Sequence, residues 1–374
     1  MAVKNTCKSF LKKSDTSGNA VVQNIVKMSN SISPSQELLN NAVANLSHTE
    51  FCVLETQHLS VTVLLCLVFL GGVLLNSFSL WVFCCHISKW SPANILQFHL
   101  AMSDAIIAPA APLVGVYFAS GHWTFGPFLC QLKIALLTIH FYGSIVFLML
   151  ISIQRYVAVV HYKKSTPMQR TDFVHKLCGG VWLLLLISGS ISFVLFSDSK
   201  VGNQTVCLSV HQNEYLTTYF VVNILLVVLG FLVPFFVSVL CYTSLVRSIS
   251  LIKMNTTKGQ AIKTKSCKMV ALCLIIFAVC FTPLSVIRTI GLMVKMFVPK
   301  CCKFLLHLET AYYISWILAG ANCCLDPLLY CFGSKNFSKA LQRSLKVVAK
   351  TEVTNKRGQD SQDLTGATHS TASL

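Results

Sequence analysis

Seven long runs of apolar residues limit the fold of this sequence more strictly than any other feature. Each run is long enough to cross about 30 Å of hydrocarbon as a helix. Lipid offers no partner to an unpaired backbone group, and none of the runs alternates like a barrel strand. The sequence therefore predicts an all-α membrane protein, a seven-transmembrane-helix bundle. The predicted spans cover approximately residues 59–85, 94–118, 129–160, 173–196, 216–246, 267–296 and 304–332.

The composition excludes an ordinary soluble domain. Hydrophobic residues make up 54% of the 374 residues and charged residues only 11%, whereas about a quarter of the residues in soluble domains are charged. The net charge of +17 would suggest nucleic acid as a partner, but no nucleic-acid-binding motif accompanies it. The basic residues concentrate in short loops, so we interpret them as signals for orientation in the bilayer and expect no nucleic-acid partner.

The basic residues are distributed unevenly between the loops. They concentrate in the loops that join spans one and two, three and four, and five and six, whereas the alternate loops hold few. Because basic loops stay on the cytoplasmic side, this asymmetry predicts an extracellular amino terminus and a cytoplasmic carboxyl terminus.

The segments that flank the bundle are more polar than the bundle itself. Residues 1–57 are predicted to form a flexible extracellular tail, and residues 58–333 the seven-helix transmembrane domain. Residues 334–348 alternate basic and apolar side chains, which is typical of an amphipathic helix lying in the membrane interface. Residues 349–374 are rich in Ser, Thr, Asp and Gly and are predicted to form a disordered cytoplasmic tail.

This topology places several cysteines on the oxidising side of the membrane. Cys130 and Cys207 lie there, and a disulfide between them would tie the loop before span five over the bundle. Cys52 could form a second bridge with Cys301 or Cys302, and the sequence does not choose between the two. On the same side, the acceptor pattern for glycosylation occurs at Asn45 and Asn203.

Polar side chains occur at mid-depth inside the spans. A single Asp there costs roughly 2.5 to 3.5 kcal/mol on insertion scales, so such residues mark a functional interior more often than a packing seam. Two carboxylates and several neutral oxygens at similar depth could hold a sodium ion; the alternative is a water cluster without a cation. The predicted polar-core residues are Asn76, Asp104, Ser144, Asn322 and Asp326.

Basic residues also lie near the predicted outer mouth of the bundle. Lys133 in span three and Arg288 in span six would converge there, with His140 deeper in span three. Converging cations imply an anionic ligand, and the alternative is that both long side chains snorkel to the lipid headgroups. Pro283 should kink span six, which would let the inner end of that helix swing.

Several motifs in a fixed order resemble the rhodopsin-like, or class A, G-protein-coupled receptors over residues 59 to about 345. No single motif would suffice, and the resemblance rests on their combination. The motifs include Asn76 in span one, Leu100–Asp104 in span two, Gln154–Tyr156 in span three, Cys280–Pro283 in span six and Asp326–Tyr330 in span seven.

Within that family, the sequence resembles two branches that bind small anions. Tyr142–Leu148 in span three is similar to the purinergic nucleotide receptors, and Leu80–Cys84 is similar to receptors for hydroxycarboxylic and oxo-fatty acids. Arg288 matches the basic residue that both branches use in span six. The chain departs from the family pattern at Gln154 (usually acidic), at Ser285 and Trp316 (His and a basic residue in nucleotide receptors) and at Phe141 (Arg in carboxylic-acid receptors).

The resemblance implies a multi-pass plasma-membrane receptor, not an enzyme, that detects an extracellular anion. A nucleotide-like ligand is favoured, with a carboxylic acid or an oxidised fatty acid as the alternative. A secondary transporter that uses its intramembrane Asp residues is the alternative from another class. Signalling would pass through a heterotrimeric G protein by outward movement of span six, with receptor kinases and arrestin acting on the tail. No cofactor is expected besides the sodium ion.

The resemblance also implies a role for individual residues. The implied ligand contacts are Lys133, Phe141, Arg288, Tyr312 and Trp316. The implied activation switch comprises Arg155, Tyr242, Phe277, Phe281, Pro283 and Tyr330.

Overall fold

The computed structural model describes most of the predicted transmembrane domain. Within the described residues, the chain is helical apart from one two-stranded hairpin, which confirms the predicted all-α membrane fold. The described residues are 59–161, 166–201, 204–207, 216–251, 257–297, 302–333, 337–339 and 341–343. The expectations that lie outside them concern residues 1–57 with Asn45 and Cys52, Asn203, Cys301, the side chain of Cys302, the greater part of the predicted interfacial helix (334–336, 340 and 344–348), and residues 349–374.

Six continuous helical runs in the described residues are long and apolar enough to cross a membrane, and two shorter helices form span two. The helices, in order of the spans, are α1 (Leu59–His86) in span one, α2 (Pro92–Ala105) and α3 (Ala111–Ser120) in span two, α4 (Gly126–Val160) in span three, α5 (Thr171–Leu195) in span four, α6 (Leu216–Leu225) and α7 (Val233–Leu251) in span five, α8 (Thr257–Ile276) and α9 (Thr282–Phe297) in span six, and α10 (Cys302–Gly320) and α11 (Asn322–Gly333) in span seven. A short 3₁₀ turn occurs at Pro167–Gln169.

Span two is interrupted between α2 and α3, where the sequence predicts one continuous helix. Pro109 lies in this interruption and has no backbone N–H to continue the helical ladder. The neighbouring amides bond three residues back, Ala108 to the carbonyl of Ala105 at 3.0 Å and Ala110 to that of Ile107 at 2.9 Å. The tightened turn ends α2 one residue after Asp104, so this carboxylate lies at a helix terminus.

Spans five and six each contain a π-helical segment immediately before a proline. Leu226–Leu232 precedes Pro234, and Phe277–Phe281 precedes Pro283. In span six, Thr282 donates both its backbone N–H and its hydroxyl, the latter at 2.9 Å, to the carbonyl five residues earlier. The wide turn thus directs two donors of Thr282 to one carbonyl, next to the position where the proline has no N–H to donate.

Span three is the central element of the bundle. In its apolar segment 78% of the residues are buried, against 28% in span one and 22% in span five. The outer spans turn large apolar side chains outward, such as Leu184 at 65% exposure and Leu240 at 65%. Because lipid is the surrounding solvent, these exposed side chains are expected on the outside of a membrane bundle.

An antiparallel hairpin covers the outer end of span three, where the sequence predicts only a loop. It consists of β1 (Asp198–Val201) and β2 (Gln204–Cys207). The predicted disulfide between Cys130 and Cys207 is confirmed, with a Cα–Cα distance of 5.8 Å. The backbone N–H of Trp123 also donates to a β2 carbonyl at 2.7 Å. The hairpin is therefore fixed both to span three and to the loop after span two.

Gly72 marks a very close approach between spans one and seven, and we expect Gly72→Ala to destabilise the protein. An added Cβ would lie 2.6 Å from the Cβ of Cys323, whereas at Gly71 the nearest atom is the Sγ of Cys324 at 3.5 Å. Overpacking of this kind costs about 1–3 kcal/mol. Thermal denaturation of the purified protein in detergent should show a clearly lower melting temperature for Gly72→Ala and little change in melting temperature for Gly71→Ala. Equal losses in the two variants would contradict the expected close contact.

Candidate functional site

Arg288 lines a cavity between spans three, five, six and seven. Its Nη2 donates to the hydroxyl of Tyr142 at 2.9 Å, and its guanidinium carbon lies 6.0 Å from the ring centre of Phe141. The hydroxyls of Tyr219 and Tyr312 are also close enough to interact with its charge. The side chain is thus held by aromatic residues from three other spans and points into the bundle, not toward the headgroups.

The charge of Arg288 has no anionic partner in the described part of the chain. None of the described carboxylates lies within ion-pair distance of its guanidinium, and its Nε has no hydrogen-bond acceptor there. Phenol groups accept hydrogen bonds but do not neutralise a cation. Because an uncompensated charge away from water is unfavourable, the arrangement suits an anion that enters the cavity from outside.

Lys133 lines a second cavity. Its ammonium donates to the carbonyl of Cys207 at 3.0 Å and lies 4.9 Å from the ring centre of Tyr117 and 4.8 Å from that of Trp123. Trp316 lines both this cavity and the one at the arginine. The five predicted ligand contacts therefore line two adjacent cavities, with one basic residue at each.

Glu309 is an acidic residue near the second cavity that the sequence analysis did not single out. It lies in span seven, is 1% exposed, and its Oε1 accepts a 2.6 Å hydrogen bond from the hydroxyl of Tyr313, which lines that cavity. A carboxylate within an apolar span was the signal that could have identified it. Its negative charge makes the arginine cavity the better place for the charged group of an anion.

The five predicted polar-core residues are fully buried and lie together. The hydroxyl of Ser144 donates to Oδ1 of Asp104 at 2.8 Å, and Nδ2 of Asn322 donates to Oδ2 of Asp326 at 3.3 Å. Nδ2 of Asn76 donates to a span-seven carbonyl at 2.8 Å. Side chains from spans one, two, three and seven thus meet in one cluster.

Two acceptors of this cluster have no donor in the described residues. They are Oδ2 of Asp104 and Oδ1 of Asp326, and the two carboxyl groups are close enough to interact with each other. Two buried acceptors in contact require a shared proton or a cation. The predicted sodium ion would meet this need, and its presence stays a prediction.

Tyr330, a predicted switch residue, packs against span one and the segment after span seven. Its hydroxyl donates to Oδ1 of Asn76 at 3.4 Å. Its ring centre lies 5.6 Å from that of Phe83 and 5.7 Å from that of Phe337. Phe337 is buried and belongs to residues 337–339, which are helical. The structure thus joins the inner end of span seven to both neighbours through aromatic contacts.

The other inner switch residues lie between spans three, five and six. Arg155 is partly buried, and its charge interacts with Cys273 of span six. Tyr242 packs on a small apolar cluster that includes Val159 of span three and Cys267 of span six. These two residues therefore lie where the inner end of span six contacts its neighbours.

Packed aromatic rings connect the Arg288 cavity with the π segment of span six. The ring centres of Phe141 and Phe281 are 5.2 Å apart, and those of Phe281 and Phe277 are 5.9 Å apart. Phe277 in turn packs against Phe231 of span five at 6.4 Å. A displacement of Phe141 by a ligand would therefore press on the residues that precede Pro283.

Known receptors are similar in sequence to this chain across the helical bundle. Residues 75–330 match the family model described as 7 transmembrane receptor (rhodopsin family). The chain is 33% identical to purinoceptor 2 of Homo sapiens over 261 residues, which is 69% of this chain and 69% of that receptor. It is 31% identical to purinoceptor 1 of Homo sapiens over 305 residues, 80% of each chain. With purinoceptor 1 of Gallus gallus the identity is 30% over 284 residues, 75% of this chain and 78% of that receptor.

Proposed function

Because the chain belongs to the rhodopsin family of seven-transmembrane receptors, we propose that it detects an extracellular nucleotide or a nucleotide-like anion at the plasma membrane and signals through a heterotrimeric G protein. The family consists of multi-pass membrane receptors and not of enzymes. The relatives named as purinoceptors support a nucleotide as the ligand. The observation that carries the proposal is the uncompensated charge of Arg288 in a cavity inside the described bundle.

The two adjacent cavities fit the two parts of a nucleotide. The charged phosphates pair with Arg288, because its guanidinium fork binds such oxygens through two parallel hydrogen bonds. The base lies toward Tyr312 and Trp316, which offer flat aromatic faces.

A carboxylic acid or an oxidised fatty acid is the second candidate ligand. One feature favours it, because the cavity beside Lys133 has apolar side chains such as Leu65, Phe69 and Val114 in its lining. A carboxylate would pair with Arg288, and a hydrocarbon chain would occupy the apolar cavity. The two candidates share the anionic anchor and differ in what fills the second cavity.

Signalling follows from a rearrangement of span six. Ligand contact displaces Phe141, the aromatic contacts shift Phe281, and the inner half of span six swings outward about Pro283. The opening would lie between Arg155 and Tyr242 on the cytoplasmic side, with the amino terminus outside. The π segment and the proline support this step, since both weaken the regular hydrogen bonding of the helix.

A signalling screen of the full chain tests the proposal. Cells that express the wild-type protein are exposed to nucleotides, dicarboxylates and oxidised fatty acids, and dissociation of the G protein is measured. At least one nucleoside phosphate should activate the receptor at a lower concentration than the carboxylic acids do. Activation by neutral or cationic compounds alone would contradict the anion site, and ligand uptake into vesicles without signalling would indicate transport.

Gln154→Asp is expected to lower signalling in the absence of ligand. Gln154 is 7% exposed, and its Oε1 has no hydrogen-bond donor in the described residues. A carboxylate there would pair with Arg155 and stabilise the resting arrangement of span three. A gain of about 1 kcal/mol would reduce the active fraction about fivefold. Ligand-free nucleotide exchange on the G protein measures the effect, with Gln154→Asn as the neutral control. Equal basal exchange in wild type and Gln154→Asp would refute this role.

A further inference from the structure

Three side chains of metal-binding type converge from three spans of the polar core. Asp104 of span two, His140 of span three and Cys323 of span seven are buried, and their potential ligand atoms all lie within 4.8 Å of one another. We propose that these three residues, here named the core metal site, bind a transition-metal ion of the Zn²⁺ class. This inference does not depend on the identity of the extracellular ligand.

The spacing of the two softer ligands fits tetrahedral zinc. Nε2 of His140 lies 3.6 Å from Sγ of Cys323. Bonds of about 2.1 Å to nitrogen and 2.3 Å to sulfur at a tetrahedral angle put these atoms about 3.6 Å apart. An ion could therefore sit between them with little movement of either side chain.

The imidazole of His140 is oriented as a metal-binding histidine requires. Its Nδ1 lies 3.2 Å from the backbone carbonyl of Ser103, which accepts a hydrogen bond if Nδ1 carries the proton. That tautomer leaves Nε2 with a free lone pair facing Cys323. Most metal-binding histidines donate their second ring N–H to such an acceptor, which fixes the ring and the tautomer.

Unsatisfied oxygens lie at the same place and can accept either a shared proton or a cation. Oδ2 of Asp104 and Oδ1 of Asp326 have no donor among the described residues, although both side chains are 0% exposed. Within the same residues, the one basic group found near either carboxylate is His140, whose Nδ1 lies 3.7 Å from Oδ1 of Asp104 and forms an ion pair only if the imidazole is protonated. A divalent ion would balance the Asp104 carboxylate and the Cys323 thiolate, and the Asp326 carboxyl would then keep its proton.

The donor atoms favour zinc over the sodium ion that the sequence predicts. Hard cations take oxygen ligands, whereas imidazole nitrogen and cysteine sulfur suit Zn²⁺ and similar ions. Binding converts the thiol of Cys323 into a thiolate and releases its proton to solvent. The bound ion would link spans two, three and seven, and would thereby hold the inner half of the bundle in its closed packing.

Absorption spectroscopy with Co²⁺ tests the core metal site in the purified full-length protein after removal of any affinity tag. Tetrahedral Co²⁺ absorbs in the visible range, and a thiolate ligand adds a charge-transfer band in the near ultraviolet. Wild type should show both features, and Cys323→Ser should lose the thiolate band. Cys324→Ser is the matched control, because that neighbouring sulfur faces the carbonyl of Val68 at 3.5 Å. His140→Asn should weaken Co²⁺ binding by at least about 10-fold.

Melting temperatures measured with buffered Zn²⁺ complete the test. Zn²⁺ should raise the melting temperature of wild type and Cys324→Ser, and should leave that of Cys323→Ser and His140→Asn unchanged. A thiolate band that persists in Cys323→Ser, or a Zn²⁺ effect that survives in His140→Asn, overturns the proposal. Stabilisation by Na⁺ alone, equal in wild type and Cys323→Ser, assigns the core to sodium. If Cys323→Ser does not fold, as checked by circular dichroism, the two measurements on His140→Asn decide.

Discussion

Arg288→Ala is expected to raise the agonist concentration for half-maximal signalling by at least about 30-fold. Loss of one partner from a buried, hydrogen-bonded charge pair costs about 2–5 kcal/mol, and each 1.4 kcal/mol corresponds to about tenfold in affinity. No other described cation lies in the same cavity to replace it. Concentration–response curves for the most potent anion of the screen, at matched surface expression, measure the shift.

Two further variants separate the charge of Arg288 from its position. Tyr142→Phe removes the hydroxyl that accepts from Nη2 at 2.9 Å but keeps the guanidinium. The agonist concentration for half-maximal signalling should therefore rise about tenfold or less in this variant. Arg288→Lys keeps the charge and loses the two-pronged geometry, and it should fall between Tyr142→Phe and Arg288→Ala. An alanine variant that responds like wild type to the anion would show that the ligand binds elsewhere.

Breaking the disulfide between Cys130 and Cys207 should have the second large effect. The bridge closes a loop with a sequence separation of 77, and loss of such a native disulfide typically costs 2–5 kcal/mol. The carbonyl of Cys207 also accepts from Lys133 at 3.0 Å, so the cavity beneath the hairpin should lose its shape. We expect Cys130→Ser to lower both the melting temperature and the agonist response.

The two cysteines should behave as one unit. Cys130→Ser, Cys207→Ser and the double variant should lose the same stability, because either single change already removes the bond. Cys66→Ser is the control, since this cysteine is exposed toward lipid and forms no disulfide. Losses that add up in the double variant would mean that each cysteine contributes through separate contacts.

The helices were predictable because lipid permits so few alternatives. Seven apolar runs of sufficient length have to be helices when no barrel pattern is present, and the family match over residues 75–330 agrees. The interruption around Pro109 and the two π segments were not predictable from hydropathy, since they change the backbone without changing the apolar pattern. The hairpin that ends at Cys207 was missed as well, because two four-residue strands leave little periodicity to detect.

The candidate site was predictable where a residue is conspicuous in its surroundings. Arg288 and Asp104 stand out as charges inside apolar spans, and the sequence places each at the correct depth for its cavity or cluster. Tyr142 and Cys323 do not stand out, because tyrosine and cysteine are common in helix packing. His140 was grouped with the outer basic residues, and only the three-dimensional arrangement shows that it faces the polar core.

The π segment at Phe277–Phe281 contains one residue more than the same length of regular α-helix would hold. A π turn holds more residues than an α turn, and each residue of an α-helix advances about 100° around the axis. Conversion of this segment to regular α-helix would therefore rotate Arg288 by about 100° relative to the inner half of the span. Span five carries a similar segment at Leu226–Leu232. In the proposed signalling step, conversion of either segment would turn ligand contact at the outer end of a helix into rotation of its inner end.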